Sequence, residues 1–172
     1  SDASIAAGMR RVAQFVKSRT LGMPPMAKNP NQPAFVSLIP NQFPKPVSPN
    51  DFGLAAFDAT YSMAPYFLAP DEALVMAGRW PKCRMGNVSL WNRFMQTLDY
   101  ANRPVSRNRA QTKLEADGTF RIVLAHEDPG VPNWIDTEGK PFGLVFWRFF
   151  LVEGDVETPQ AQVVKFAEVA RR

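Results

Sequence analysis

Phe120-Arg-Ile-Val-Leu-Ala-His126-Glu-Asp-Pro-Gly-Val-Pro-Asn-Trp134-Ile-Asp136-Thr-Glu-Gly139-Lys-Pro-Phe142-Gly-Leu-Val-Phe-Trp-Arg148-Phe-Phe-Leu-Val152 reads as strand, composed loop, strand. Apolar residues in the first segment alternate with a period of two, which is strand spacing. The second segment is apolar on both faces, as expected of a central strand covered on both sides. The loop between them holds the only histidine, several acids, two prolines and a tryptophan. Such a loop serves either as a ligand-facing wall or as a rigid plug over a core.

Working outward, Asp117-Gly118 precedes Phe120 and marks a hairpin turn, expected as type I′ because glycine tolerates positive φ. Further strands are expected at Leu54–Tyr61, Tyr66–Leu68, Ala73–Gly78, Asn87–Asn92 and Arg109–Leu114, beside Phe120–His126 and Phe142–Val152. At the C-terminus, Thr158-Pro159 can open a helix and Val163-Val164 can form a last strand; both readings stand. Many short strands with few helices point to a mostly β fold, an antiparallel β-sandwich or jelly roll.

Two segments precede it. Residues 1–20 read as an amphipathic helix, with Ile5, Met9, Val12 and Val16 at helical spacing and Arg10, Lys17 and Arg19 off that stripe. That stripe packs on its own domain or docks a partner, and the first is the commoner use of such a helix. Residues 21–53 form a Pro-rich extended arm, with eight of the chain's 16 prolines between Pro24 and Pro49. Residues 54–172 then make the β domain.

Bulk properties limit function. At 172 residues the chain has one domain's worth of core. A net charge of +4 allows attraction to anions without marking a nucleic-acid binder. One cysteine and one histidine exclude an internal disulfide, a cysteine zinc cluster and a His-x-x-x-His site. No metal or cofactor is expected. No apolar run reaches the roughly 18 residues of a membrane helix, and Arg10 and Arg11 stand where a secretory leader would be apolar. Nothing in the sequence assigns a compartment.

Gly78-Arg-Trp-Pro81, Asn87-Val-Ser-Leu-Trp-Asn92, Leu98-Asp-Tyr-Ala-Asn-Arg-Pro-Val105, Asp117-Gly118 and His126 to Trp134 follow one another in a distinctive order. In this order the chain resembles the family catalogued as domain of unknown function 1214, over roughly residues 60–165. The resemblance implies a jelly-roll-like β domain, often the C-terminal part of a longer protein, and implies no activity.

Parity selects the candidate site residues. His126 shares a face with Phe120, Ile122 and Leu124 if the strand stays regular, which puts it at the rim of the interior. Arg148 lies in the row Leu144, Phe146, Phe150, and a buried guanidinium needs a partner. Asp99, Glu127, Asp128 and Asp136 are candidates for that partner. His126, Arg148 and one of these acids would line a polar pocket, or each would pin a loop. His126 is the candidate general base, yet no nucleophile motif, phosphate loop or dinucleotide fingerprint accompanies it. A dyad with Cys83 is set aside, since a lone cysteine usually packs as a hydrophobe. Arg103, Arg107 and Arg109, with Lys113, share parity as an anion-binding stripe or a solvated edge. No aromatic lies among them, against single-stranded nucleic acid. Trp134 is the expected exposed ring for stacking. Asn87-Val-Ser89 matches the glycosylation sequon inside a strand, a pattern common by chance.

Three functions follow as expectations. The first is a non-catalytic sandwich that binds a small molecule or carbohydrate, or packs on a partner domain. The second is a hydrolase or isomerase using His126 with a nearby acid. The third is an assembly domain that embraces another copy through residues 1–53.

Overall fold

A computed structural model describes residues 2–20, 32–49 and 56–171. Among the described residues the fold is mostly β: two sheets of four strands each, and one α-helix, α1, at Asp2–Thr20. The strands are β1 (Ala59–Phe67), β2 (Glu72–Gly78), β3 (Met85–Trp91), β4 (Ser106–Asn108), β5 (Phe120–Ala125), β6 (Trp134–Asp136), β7 (Phe142–Phe150) and β8 (Gln160–Lys165). A short 3-10 helix, Phe166–Arg171, follows β8. The first sheet runs β1-β7-β3-β4 and the second β6-β5-β2-β8. Pairing is antiparallel except between β5 and β6, which are parallel.

The sheets share one apolar cluster. Leu74, Met76, Ile122 and Leu124 come from the second sheet, and Val88, Leu90, Val145, Trp147 and Phe149 from the first. Each such side chain, fully buried, contributes about 1.5–3 kcal/mol. Trp147 is at the centre, stacked on Phe120 at 5.3 Å and met by Trp80 at 5.6 Å. Gly143 of β7 allows the closest approach: a β-carbon there would lie 2.6 Å from the Tyr66 ring and 2.7 Å from the Trp91 carbonyl oxygen. Both β5 and β7 are interior to their sheets and covered on both faces, as the apolar run of β7 predicts; for β5, read as alternating, the second cover is a finding of the structure.

On the far side of the second sheet, Ala73, Val123, Ala125 and Val164 pack with Val169 of the 3-10 helix and with Trp134. On the far side of the first sheet, Tyr61 and Phe146 pack with Phe35 of the arm. Residues 32–49 run along the outer edge of β1. Val47 exchanges two backbone hydrogen bonds with Tyr61, at 3.0 Å each. The Met63 N–H donates to the Phe35 carbonyl, and the Met63 carbonyl accepts from Ser37, at 2.7 Å each. Asn41 does the same for Phe67 through its side-chain amide. Pro65 has no N–H to offer on that edge, and its carbonyl accepts from Asn41 N. An open edge would be a template for stray pairing; the arm uses it up. Phe43 then reaches past the edge to Trp147, 6.2 Å ring to ring.

Several expectations change. Leu54–Tyr61 and Tyr66–Leu68 were read as two strands; the described part is one continuous β1. Pro65 does not break it, because its missing donor faces the arm and not β7. Arg109–Leu114 is not a strand: β4 precedes it, and the Thr112 hydroxyl and the Gln111 side chain and N–H fold the chain back onto Asn108. The Asp117-Gly118 turn is present, but only Gly118 has positive φ, 81°. Glu115 N–H donates to the Thr119 carbonyl, so the turn is the longer kind with a glycine bulge rather than type I′. Val163-Val164 belong to β8, not to a helix. The all-antiparallel expectation fails at β6, a three-residue strand inside the composed loop. Residues 21–31 and 50–55, where part of the arm was placed, lie outside the described residues.

The apolar stripe of α1 is not sealed by the rest of the protein: Ile5, Met9, Val12 and Val16 are each at least half exposed. That corrects the commoner expectation, in which the helix buries this stripe on its own domain.

Candidate functional site

The candidate residues separate into two places. The first is the end of the core at the β6–β7 turn. His126, just past β5, has both ring nitrogens engaged: Nδ1 lies 2.6 Å from the Thr137 hydroxyl and Nε2 3.2 Å from the Ala69 carbonyl. A carbonyl only accepts, so Nε2 donates to Ala69, while the Thr137 hydroxyl beside Nδ1 also lies 3.4 Å from the Ala125 carbonyl. Both ring nitrogens are thus in contact with groups of the protein itself. No carboxylate among the described residues is bonded to His126. Asp136, buried, accepts from Arg103 at 2.7 Å and from Glu138 N–H at 2.7 Å. Glu138 in turn accepts from Asp99 N–H at 2.6 Å and from the Lys140 ammonium. Burial works to raise the Glu138 carboxyl. The bonds from Lys140 and Asp99 and the charges of Lys140 and Arg103 outweigh it and hold the group below the usual range. The Asp99 side chain itself receives the Asn102 amide and N–H. Asp128 receives Gly130 N–H in the exposed part of the loop, and Glu127 is exposed beside it. Trp134, the expected free ring, is half-buried against the outer face of β5 and donates its indole N–H to the Ala125 carbonyl at 3.2 Å. This end of the core is a staple between loops, whose carboxylates are held by neighbouring donors, while the buried Tyr66 hydroxyl nearby has no hydrogen-bond partner among the described residues.

The three arginines of the expected stripe are scattered. Arg103 is tied to Asp136. Arg107 pairs opposite Val88, and its Nε is buried without a hydrogen-bond partner. Arg109 donates to the Cys83 carbonyl at 3.1 Å. The physical reason is the turn after Asn108, which ends the alternation that a shared face requires. Burial pushes the Cys83 thiol up, opposed by the charge of Arg109, which is the wrong direction for a nucleophile.

The second place is the outer face of the first sheet. Arg148 and Asn87 are direct partners across β7 and β3, and Asn87 and Asn108 across β3 and β4. Tyr61 faces Arg148 from β1. Directly opposite residues share a face, with β-carbons about 4.5–5.5 Å apart. One row therefore reads Tyr61, Arg148, Asn87, Asn108. The Arg148 guanidinium lies 5.2 Å from the Phe146 ring and 5.9 Å from each of Tyr61 and Phe150. It has no ion-pair partner among the described residues, and its Nε is buried with no acceptor. The neighbouring Asn87 Oδ1 is likewise buried with no donor. The structure thus separates Arg148 from His126 and from all four candidate acids: their sheets differ, and Arg148 faces away from the shared core. Sequence parity places Asn87, Ser89 and Trp91 on one face of β3, but nothing in the sequence sets β3 beside β7.

Comparisons bear on the fold. No protein-family model matches the chain, and no curated protein matches it. An uncharacterised protein from Burkholderia cenocepacia, solved by crystallography, is similar at 32% identity and a TM-score of 0.69, over 75% of this chain and 36% of that one. The VPA0106 protein from Vibrio parahaemolyticus shares the fold at 24% identity and a TM-score of 0.52, over 66% of this chain and 32% of that one. The chain thus spans about a third of the length of both.

Proposed function

We propose that this domain binds a small anion on the outer face of its first sheet, anchored by Arg148. The observation that supports this is a half-buried guanidinium with no acid beside it. An unpartnered charged donor costs more than a neutral one, on the order of 1–3 kcal/mol or above. The three rings around it return only part, about 0.5–2 kcal/mol for a cation over an aromatic face. A carboxylate or phosphate oxygen pair matches the fork of the guanidinium in two parallel hydrogen bonds. The reading is of a binding domain rather than an enzyme, because the one histidine is spent on Thr137 and Ala69.

The scaffold in this reading is a β-sandwich of the jelly-roll kind, supported by the two sheets on one core, and the chain is a member of the domain of unknown function 1214 family, supported by its motif order. A second occupant of the same face is favoured by length. The chain spans about a third of the similar solved chains, and a neighbouring domain could bring the carboxylate instead. Titration of the isolated chain with acetate, benzoate and inorganic phosphate separates the two. Anion binding that disappears in Arg148→Met, with unfolding stability unchanged or raised, supports a small-molecule site. An Arg148→Met variant that binds anions as the parent does would remove the anchor and the proposal with it.

A further inference from the structure

We propose that α1 lies on an anionic lipid surface, with its apolar stripe at the acyl boundary and its cations among the headgroups. The helix stands apart from the core. None of the three apolar clusters of described residues includes a residue of it. Ile5, Met9 and Val12 are 64%, 68% and 63% exposed. They recur one turn apart, so they form a single stripe along the helix. No helix among the described residues is long and apolar enough to cross a membrane, so the contact is with the surface.

Charge identifies what the stripe meets. Arg10, Arg11, Lys17 and Arg19 stand against Asp2 alone, so four cations and one acid give the helix +3 of the chain's net +4. Asp2 sits in the first turn, where it complements the helix dipole. At about 3.6 residues per turn, Arg10 and Lys17 fall on one side of the stripe and Arg11 on the other. Ala3, Ala7, Gln14 and Ser18 form the uncharged back. Arginine and lysine stems follow apolar surface while their heads stay in water. A helix lying in a bilayer interface needs this arrangement: apolar residues pointing down, cations on both flanks at headgroup depth. A second copy of the chain fits less well. Its helix would bring the same positive charge to the contact, and the stripe from Ile5 to Val16 is under two heptads long, short of the roughly three or four of a coiled coil. A groove on another protein would have to set acids on both sides of one helix. Anionic headgroups surround the helix without such a fit.

Co-sedimentation of the whole chain with vesicles tests this, using phosphatidylcholine alone and phosphatidylcholine with about 30% phosphatidylglycerol. Binding to the anionic vesicles about tenfold or more tighter than to the neutral ones is expected, weakening as salt screens the charge. Val12→Asp, which sets a carboxylate in the stripe, should weaken it about tenfold, and so should Arg10→Glu combined with Arg11→Glu. All three positions are exposed. Should circular dichroism show that Val12→Asp loses helix, Met9→Gln tests the same stripe. Arg148→Met should bind vesicles as the parent does, which keeps this contact distinct from the anion site on the sheet. No binding to anionic vesicles, equal binding to neutral ones, or binding indifferent to either change in the helix overturns the proposal. A dimer seen by light scattering that Val12→Asp dissolves, with vesicles left unbound, overturns it in favour of a second copy. Vesicle binding lost in Arg148→Met and kept in Val12→Asp overturns it in favour of the sheet face.

Discussion

Glu138 has φ of 55° and Gly139 of 68°, the left-handed pair of a tight turn in which Asn-Gly is the favoured sequence. A glutamate there carries a backbone cost of about 1–3 kcal/mol. Its carboxylate offsets that cost by holding Asp99 N–H and the Lys140 ammonium, so the turn and the loop at residue 99 are fastened together. The folded state holds this carboxyl below its ordinary value of 4.5. The stabilisation is therefore fully present above the unfolded value and lost as pH falls through the lower folded one. Urea unfolding at pH 7 and then below pH 4 should show part of the acid loss of stability missing in Glu138→Gln, which is already less stable at pH 7. An identical pH dependence in parent and variant would show that Glu138 contributes nothing to it. At this scale the sequence was half legible. The parity of β5 placed His126 at the rim, but its partner Thr137 lies beyond a loop, and nothing local announces the contact.

Among elements, the arm and β1 depend on one another. Tyr61, Met63 and Phe67 would present bare donors at a sheet edge; Val47, Phe35 and Asn41 accept from them. Asn41 itself has φ of 62°, which asparagine tolerates better than most residues. Asn41→Ala loses both amide bonds to Phe67 and keeps the strained backbone, so a loss of about 1–3 kcal/mol is expected. In hydrogen exchange the Phe67 amide should lose protection in this variant while Tyr61 and Met63 keep most of theirs. Uniform loss along β1 would mean that the arm binds as one cooperative unit. Period-two alternation revealed β2, β3 and β5, and an apolar run on both faces revealed β7. It missed β4 and β6, because three residues are too few to show a period. It split β1 at Pro65, because whether a proline interrupts a ladder depends on which edge its nitrogen faces.

For the whole molecule, the two sheets and the arm make a closed unit, and α1 keeps an exposed apolar stripe beside it. Removing residues 1–20 should shift the melting temperature by less than about 2 °C, since little burial is lost. A drop of 10 °C or more, read by circular dichroism at several concentrations, would show instead that the helix is part of the cooperative fold. The sequence by itself determined that the chain is mostly β, that β7 is an interior strand, and that a polar loop joins it to β5. Those conclusions follow from local spacing, because alternation and its absence report directly how many faces of a strand meet apolar neighbours. Only the tertiary structure decided that His126 is spent on Thr137 while Arg148 faces Asn87 among rings, away from every acid proposed for it. Strand order joins residues far apart in the chain, and a charge is paired or left unpaired by its neighbours in space.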